Sequence, residues 1–183
     1  MYLVQATPEA LRRAVHEAGH AVFAYHCCIP IREVWIEPDE KKDGIIGGVA
    51  HDQFMDPSCD ARFVYAALCY AGRFAELSFL GVVPDTHGSN VDLREMATLY
   101  GYDLDASDEE CDKGIEAIMK IIDAVSPMVT DVLTCRKAAV IRLARALVKK
   151  NRLAGAEVTR IIHRHRNRRD RNRVPRSVWA PRD

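Results

Sequence analysis

Residues 14–26 read AVHEAGHAVFAYH, and most of what the chain can be follows from them. Upstream, Thr7-Pro8-Glu9 has the form of a helix start, with Thr7 as N-cap and Pro8 at the first helical position. The helix is expected to run to about Cys28 and to stop before Pro30. Within it, His16-Glu17-Ala18-Gly19-His20 is an H-E-x-x-H motif. Residues four apart on a helix share a face, so His16 and His20 can present two imidazoles to one ion. Glu17, offset by about 100° of turn, can reach a water on that ion without ligating it. A zinc ion with three protein ligands keeps a position open for such a water and lowers its pKa toward ~7. Glu17 can then take the water's proton and hand it to a leaving amine. Ala18, Ala21 and Val22 supply core contacts beside the site. Gly19 in mid-helix costs about 1 kcal/mol against alanine, so something is expected to approach the backbone there.

A single histidine on a helix is ordinarily a packed or surface residue. Two at i, i+4 with glutamate after the first are far less often accidental, and the pair is read as a metal site. The motif does not supply a third ligand. The next histidine is His26, and no metzincin-type extension follows. Downstream candidates are Glu76, His87, Asp92 and Glu95. Glu76 falls within an expected helix. Asp92 stands where a helix is expected to begin, after a Gly-Ser-Asn stretch, so the helix dipole would favour its carboxylate and loop amides would orient it. On the residues alone, Glu76 and Asp92 are evenly matched.

Working outward, residues 31–38 (IREVWIEP) alternate and are β-branched, as a strand requires. Residues 45–50 (IIGGVA) give a second strand, expected at an edge because Gly47 and Gly48 weaken it. Helical periodicity covers 58–80 and ends at Gly81. Residues 82–90 (VVPDTHGSN) have loop composition, and a helix resumes over 91–100. Another is expected over 107–125, with Ser107 and Glu110 as a capping box. Ser126-Pro127 is expected to open a long amphipathic helix through Lys150. Gly155 breaks the chain before a short helix over 156–165. The fold class is therefore mainly α with a small β-sheet (α+β). A domain is expected over 1–165, followed by a basic C-terminal tail over 166–183.

The 183 residues carry 26 basic and 26 acidic side chains, with 48% hydrophobic and 28% charged. That is a globular balance with no global push toward nucleic acid or an anionic membrane. The arginine-dense run 164–176 (RHRNRRDRNRVPR) has no apolar face and reads first as a solvated end, second as an anion contact. The six cysteines contain no C-x-x-C spacing, which argues against a zinc knuckle or a disulfide framework and for reduced, mostly buried thiols in a cytoplasmic protein. No signal peptide is visible, and Arg73 and Glu76 interrupt the most apolar stretch, so no membrane span is expected.

Four segments resemble the peptidase domain of the FtsH family of ATP-dependent zinc proteases. They are AVHEAGHAVFAYH, the zinc helix; IREVWIEP with IIGGVAH (45–51), the strand pair; YAGRFAELSFLG (70–81) with HGSNVDLREMATL (87–99), the family's GGR-AEE helix and Asn-Asp loop; and the C-terminal helix pair over 132–162. They occur in the family's order over about 9–165. The resemblance implies a zincin-type helical bundle, one zinc ion per chain, and Asp92 as third ligand with His16 and His20. It leaves Glu76 to hydrogen-bond behind the ligands or to pair with Arg73. The chain departs from the family in reading Asn90-Val91-Asp92 for Asn-Asp and Leu77 for a second glutamate. It also carries no G-x-x-x-x-G-K-[ST], so no ATPase domain and no membrane anchor are expected. The family assembles as hexameric rings, and homo-oligomers are an open expectation here.

The leading expectation is a zinc metalloendopeptidase with Glu17 as catalytic base. Its substrates would be unfolded or extended polypeptides, taken without ATP, with strand 45–50 as a place where a segment could add. A rival is a catalytically silent zinc-binding module acting as regulator or scaffold. Nucleic-acid binding through the tail rests on composition alone.

Overall fold

The computed structural model describes residues 7–39, 44–52, 59–81, 86–105 and 107–163. The 164–176 run and the whole of the expected tail over 166–183 therefore lie outside the described residues. The order is α1 (Pro8–His26), β1 (Ile31–Asp39), β2 (Gly44–His51), α2 (Cys59–Leu80), α3 (Thr86–Leu99), α4 (Asp108–Cys135), α5 (Lys137–Lys150), β3 (Arg152–Ala154) and α6 (Gly155–His163). The chain is mainly helical with one small antiparallel sheet, as its periodicities require.

α1 is the axis of the molecule. The Thr7 side chain caps it by accepting the Ala10 amide at 3.1 Å. Every residue from Ala14 to Ala24 is buried, so the helix is covered on all sides. Small side chains make this possible. Gly19 meets α2 so closely that a Cβ there would stand 2.7 Å from the Ala71 carbonyl oxygen and 2.8 Å from the Ala75 Cβ. This is the approach that a mid-helix glycine implied. After His26 the chain reverses through Cys28, which has a positive φ of 59°, and the Ile29 amide bonds the Ala24 carbonyl at 2.9 Å.

The sheet order is β2-β1-β3, so β2 is an edge strand, as its glycines suggested. Val34 and Ile36 of β1 and Leu153 of β3 turn inward and are fully or almost fully buried. On the other face Arg152 sits over the Trp35 ring at 5.7 Å and pairs with Glu33 at 2.8 Å. β3 has only three residues and was not visible as a strand in the sequence. It follows Asn151, whose φ of 63° ends α5 in the left-handed conformation.

The helical boundaries differ from expectation in two places. α3 begins at Thr86, so residues 86–90 are helical where their composition reads as loop. α4 runs through Pro127 without interruption, and the break falls at Arg136 instead. Ser107 is the N-cap residue of α4, but its side chain makes no capping bond. Within α2, Ala61–Leu80 is long and apolar enough to cross a membrane by length and composition alone. Here that apolarity is used inside the fold, where Val64, Ala67, Leu68, Ala71, Phe74 and Ala75 are core residues. Of the described cysteines only Cys69 is buried, so the thiols are more exposed than expected.

Candidate metal centre

α1 and α2 cross where both present glycine or alanine, and this contact builds the site. Gly72 faces the two histidines. A Cβ on it would lie 2.7 Å from His16 Nε2, 2.8 Å from His16 Cδ2 and closer still to His20 Nε2. Any side chain here would displace the rings.

Both imidazoles are oriented from behind. His16 Nδ1 is 2.5 Å from Glu76 Oε1, and His20 Nδ1 is 2.7 Å from the Leu68 carbonyl oxygen. A carbonyl can only accept, and an ionised carboxylate can only accept, so each Nδ1 carries the hydrogen and donates it. Each Nε2 is then left with its lone pair. The two Nε2 atoms are 3.0 Å apart, and Asp92 Oδ2 from α3 lies 3.0 Å from the first and 3.4 Å from the second. In that tautomer three electron-rich atoms converge.

Such a cluster favours a positive charge between its members, either a proton or a metal ion. Two ligands bonded to zinc at about 2.0–2.2 Å in tetrahedral geometry stand roughly 3.3 Å apart. The observed separations fit that triangle, and among the described residues His16, His20 and Asp92 form the group able to hold a metal ion. With both Nε2 atoms unprotonated, Asp92 Oδ2 is buried without a hydrogen-bond donor, and a bound ion would satisfy it. The hydrogen bonds behind the histidines are the kind that orient metal ligands.

Electrostatics express the same demand. Burial alone would lower the His16 pKa, but the Asp92 and Glu76 carboxylates and the Glu17 charge raise it to about 10, so without an ion a second proton on Nε2 would face Asp92. His20 moves the same way, against its burial, through the charge of Asp92 and its hydrogen bond. Asp92 resists its own burial and is held well below the usual carboxylate range by the histidines. Glu17 is different: burial pushes its pKa up. It sits 3.7 Å from Arg13 Nη1. Gly47 of β2 packs onto it, so that a Cβ there would be 2.8 Å from Glu17 Cγ and 2.9 Å from its Oε1.

A cleft of about 380 Å³ opens over these groups, with Ile46 to Val49 of β2 on one wall and Tyr65, Val91 and Glu95 on the other. The other ligand candidates stand elsewhere. Glu76 is behind His16 and faces Arg12 at 3.9 Å, not Arg73. Glu95 accepts a 3.4 Å hydrogen bond from Tyr65. His87 lies on α3 with its side chain outside those described. Asp92 is seven residues into α3, beyond reach of the helix dipole that its expected N-terminal place would have supplied. Contacts with the histidines hold it instead. Sequence reasoning missed Gly72, whose only signal was a small residue four before Glu76 on the same helix.

An H-E-x-x-H helix with an aspartate from a second helix and a strand edge beside it has the construction of a metal-dependent hydrolase centre. No protein-family model matches the chain. It is 28% identical over 184 aligned positions to the ATP-dependent zinc metalloprotease FtsH 1 of Symbiobacterium thermophilum. The alignment covers 86% of this chain and 30% of that protein, so the chain spans less than a third of this relative's length. The similarity is distant and points to a protease-like origin.

Proposed function

We propose that the chain is a zinc-dependent endopeptidase that hydrolyses extended or unfolded polypeptide. The observation that carries this reading is the convergence of His16 Nε2, His20 Nε2 and Asp92 Oδ2 at 3.0–3.4 Å, with Glu17 facing the same cleft. Zinc held by those three residues would supply Lewis-acid polarisation of the scissile carbonyl and a water acidified to a pKa of about 7. Glu17 takes the proton of the attacking water and returns it to the leaving amine. Its burial raises its proton affinity toward the range where both transfers are efficient. Arg13 keeps Glu17 in place: its Nη1 faces Glu17 and its Nε donates to the Ile45 carbonyl at 3.3 Å. Glu76 and the Leu68 carbonyl hold the histidine rings in the ligating tautomer.

β2 offers the substrate a backbone to pair with. On this edge strand the Ile45 amide and carbonyl point away from β1, toward Glu9 and Arg13. Strand alternation turns Gly47 and Val49 to the same open side, beside Glu17. An extended peptide added there would run past the site with its carbonyls presented to it. Within these 183 residues no P-loop occurs, so the proposed cleavage is of segments already unfolded.

The test has two parts. Metal analysis should give one zinc per chain, lost on His16→Ala or His20→Ala. Glu17→Gln should keep zinc and lose cleavage of denatured casein. Wild-type protein that binds zinc and leaves unfolded substrates intact would replace this reading with that of a regulatory zinc module.

A further inference from the structure

A second cavity, of about 360 Å³, lies at the other end of α1. Ten residues separate His16 from His26, so the two sites are about 15 Å apart along the helix. The lining of the second cavity is mixed: Ile29, Pro30 and Ile162 are apolar, and Arg136, His26, His163, Tyr25 and Thr159 are polar. Among the described residues no acidic side chain lines it.

Arg136 is central to the polar lining. Arg32, Arg94 and Arg152 each pair with a carboxylate at 2.7–2.9 Å. Among the described residues no carboxylate stands within ion-pair distance of Arg136. Its guanidinium lies 5.7 Å from the centre of the Tyr25 ring, a cation–π contact that uses none of its N–H donors. The Tyr25 hydroxyl is in turn tied to His163 Nε2 at 2.6 Å. The end of α1 does not need the arginine as a cap. The carbonyls of Phe23, Ala24 and Tyr25 already accept the amides of Cys27, Ile29 and Cys28. A cation without a carboxylate partner, in a cavity that also presents two imidazoles and apolar side chains, is complementary to an anion that has an apolar body.

We infer that this cavity binds a small amphiphilic oxyanion, a carboxylate or phosphate monoester whose head meets Arg136 and whose apolar part lies on Ile29, Pro30 and Ile162. The head accepts from the guanidinium, with the His26 and His163 rings lining the same cavity. Glu17, Asp92 and the metal centre take no part, so this inference stands whether or not the chain is a peptidase.

Calorimetry on the full chain, titrated with hexanoate, with phenyl phosphate and with neutral hexanamide, tests it. Saturable binding of one or both anions is expected, at least 10-fold tighter than hexanamide. The preferred anion tells a carboxylate ligand from a phosphate one. Arg136→Gln should weaken binding at least 10-fold. His20→Ala, which removes a metal ligand, should leave it within threefold, because anions can also bind zinc. In the wild-type protein, NMR should show the ring signals of His26 and His163 shifting on titration and those of His16 and His20 unmoved, a readout that needs no variant to fold. Absence of saturation, an unaffected Arg136→Gln, or loss of binding in His20→Ala overturns the proposal.

Discussion

Gly72→Ala is the substitution that most directly tests how the centre is built. The new methyl carbon would begin 2.7 Å from His16 Nε2 and 2.8 Å from His16 Cδ2. Ordinary contact is about 3.5 Å, so relief requires a movement of at least about 0.8 Å at His16 and more at His20, whose Nε2 is closer still. The helices cannot simply part, because Gly19 seats α1 against the Ala71 carbonyl and Ala75. The rings also have little freedom, since Glu76 and the Leu68 carbonyl hold their other nitrogens. Ligand positions in a metal site tolerate about 0.2 Å, and the required shift is several times that. Zinc affinity should therefore fall by at least about 100-fold, or roughly 2.8 kcal/mol.

Folding should suffer much less. Alanine is the better helix former by about 1 kcal/mol, which offsets part of an overpacking penalty of about 1–3 kcal/mol. The metal-free variant should thus melt within roughly 8 °C of the metal-free parent. The assay is competition for zinc against a chromophoric chelator, alongside thermal unfolding of the metal-free proteins. Gly114→Ala is the control. Its methyl would meet Leu104 Cδ2 at 2.9 Å, the end of a side chain that can turn away, far from the histidines. It should leave zinc affinity unchanged. A Gly72→Ala protein that holds zinc within threefold of the parent would refute the reasoning.

Three further outcomes follow from the same contacts. Glu76→Gln keeps an acceptor for His16 Nδ1 but removes its charge, so zinc affinity should fall by about 10–100-fold in the same competition assay; an unchanged affinity would remove Glu76 from the site. Gly47→Ala presses a methyl on Glu17 Cγ and Oε1, so kcat/KM on unfolded casein should drop at least about 10-fold with zinc stoichiometry intact; loss of zinc instead would place the damage at the ligands. Pro127→Ala removes a proline from the exposed side of α4 and should stabilise the fold by about 1–3 kcal/mol, read as a higher unfolding midpoint; no rise would mean that the surrounding packing already fits the proline.

Legibility of this fold in its sequence divides along the range of the interactions. α1, β1 and β2 could be read because cap, periodicity and turn act over a few residues. The starts of α3 and α5 could not. Thr86-His87-Gly88-Ser89-Asn90 has the composition of a loop, yet α3 already includes it, so local propensity does not decide the start of this helix. Pro127 reads as a helix start, but an established helix can carry a proline at an exposed position with one backbone bond missing. β3 pairs only as Val34 with Leu153 and its neighbours, a long-range contact that three residues cannot announce.

The candidate centre divides the same way. His16, Glu17 and His20 are spaced by one helix, so the motif contains their geometry. Asp92 and Glu76 were both acidic residues on downstream helices, and nothing local separates a residue that faces Nε2 from one that faces Nδ1. The distinction is made by how α2 and α3 lie on α1, and that in turn depends on two absent side chains. Gly19 lets α2 approach α1, and Gly72 leaves room for the rings once it has. With the helices at that distance, Glu76 meets the back of His16 while Asp92, on the next helix, closes the front. Which carboxylate stands as the candidate third ligand is therefore a consequence of helix packing, and the two glycines matter to it as much as the carboxylates do.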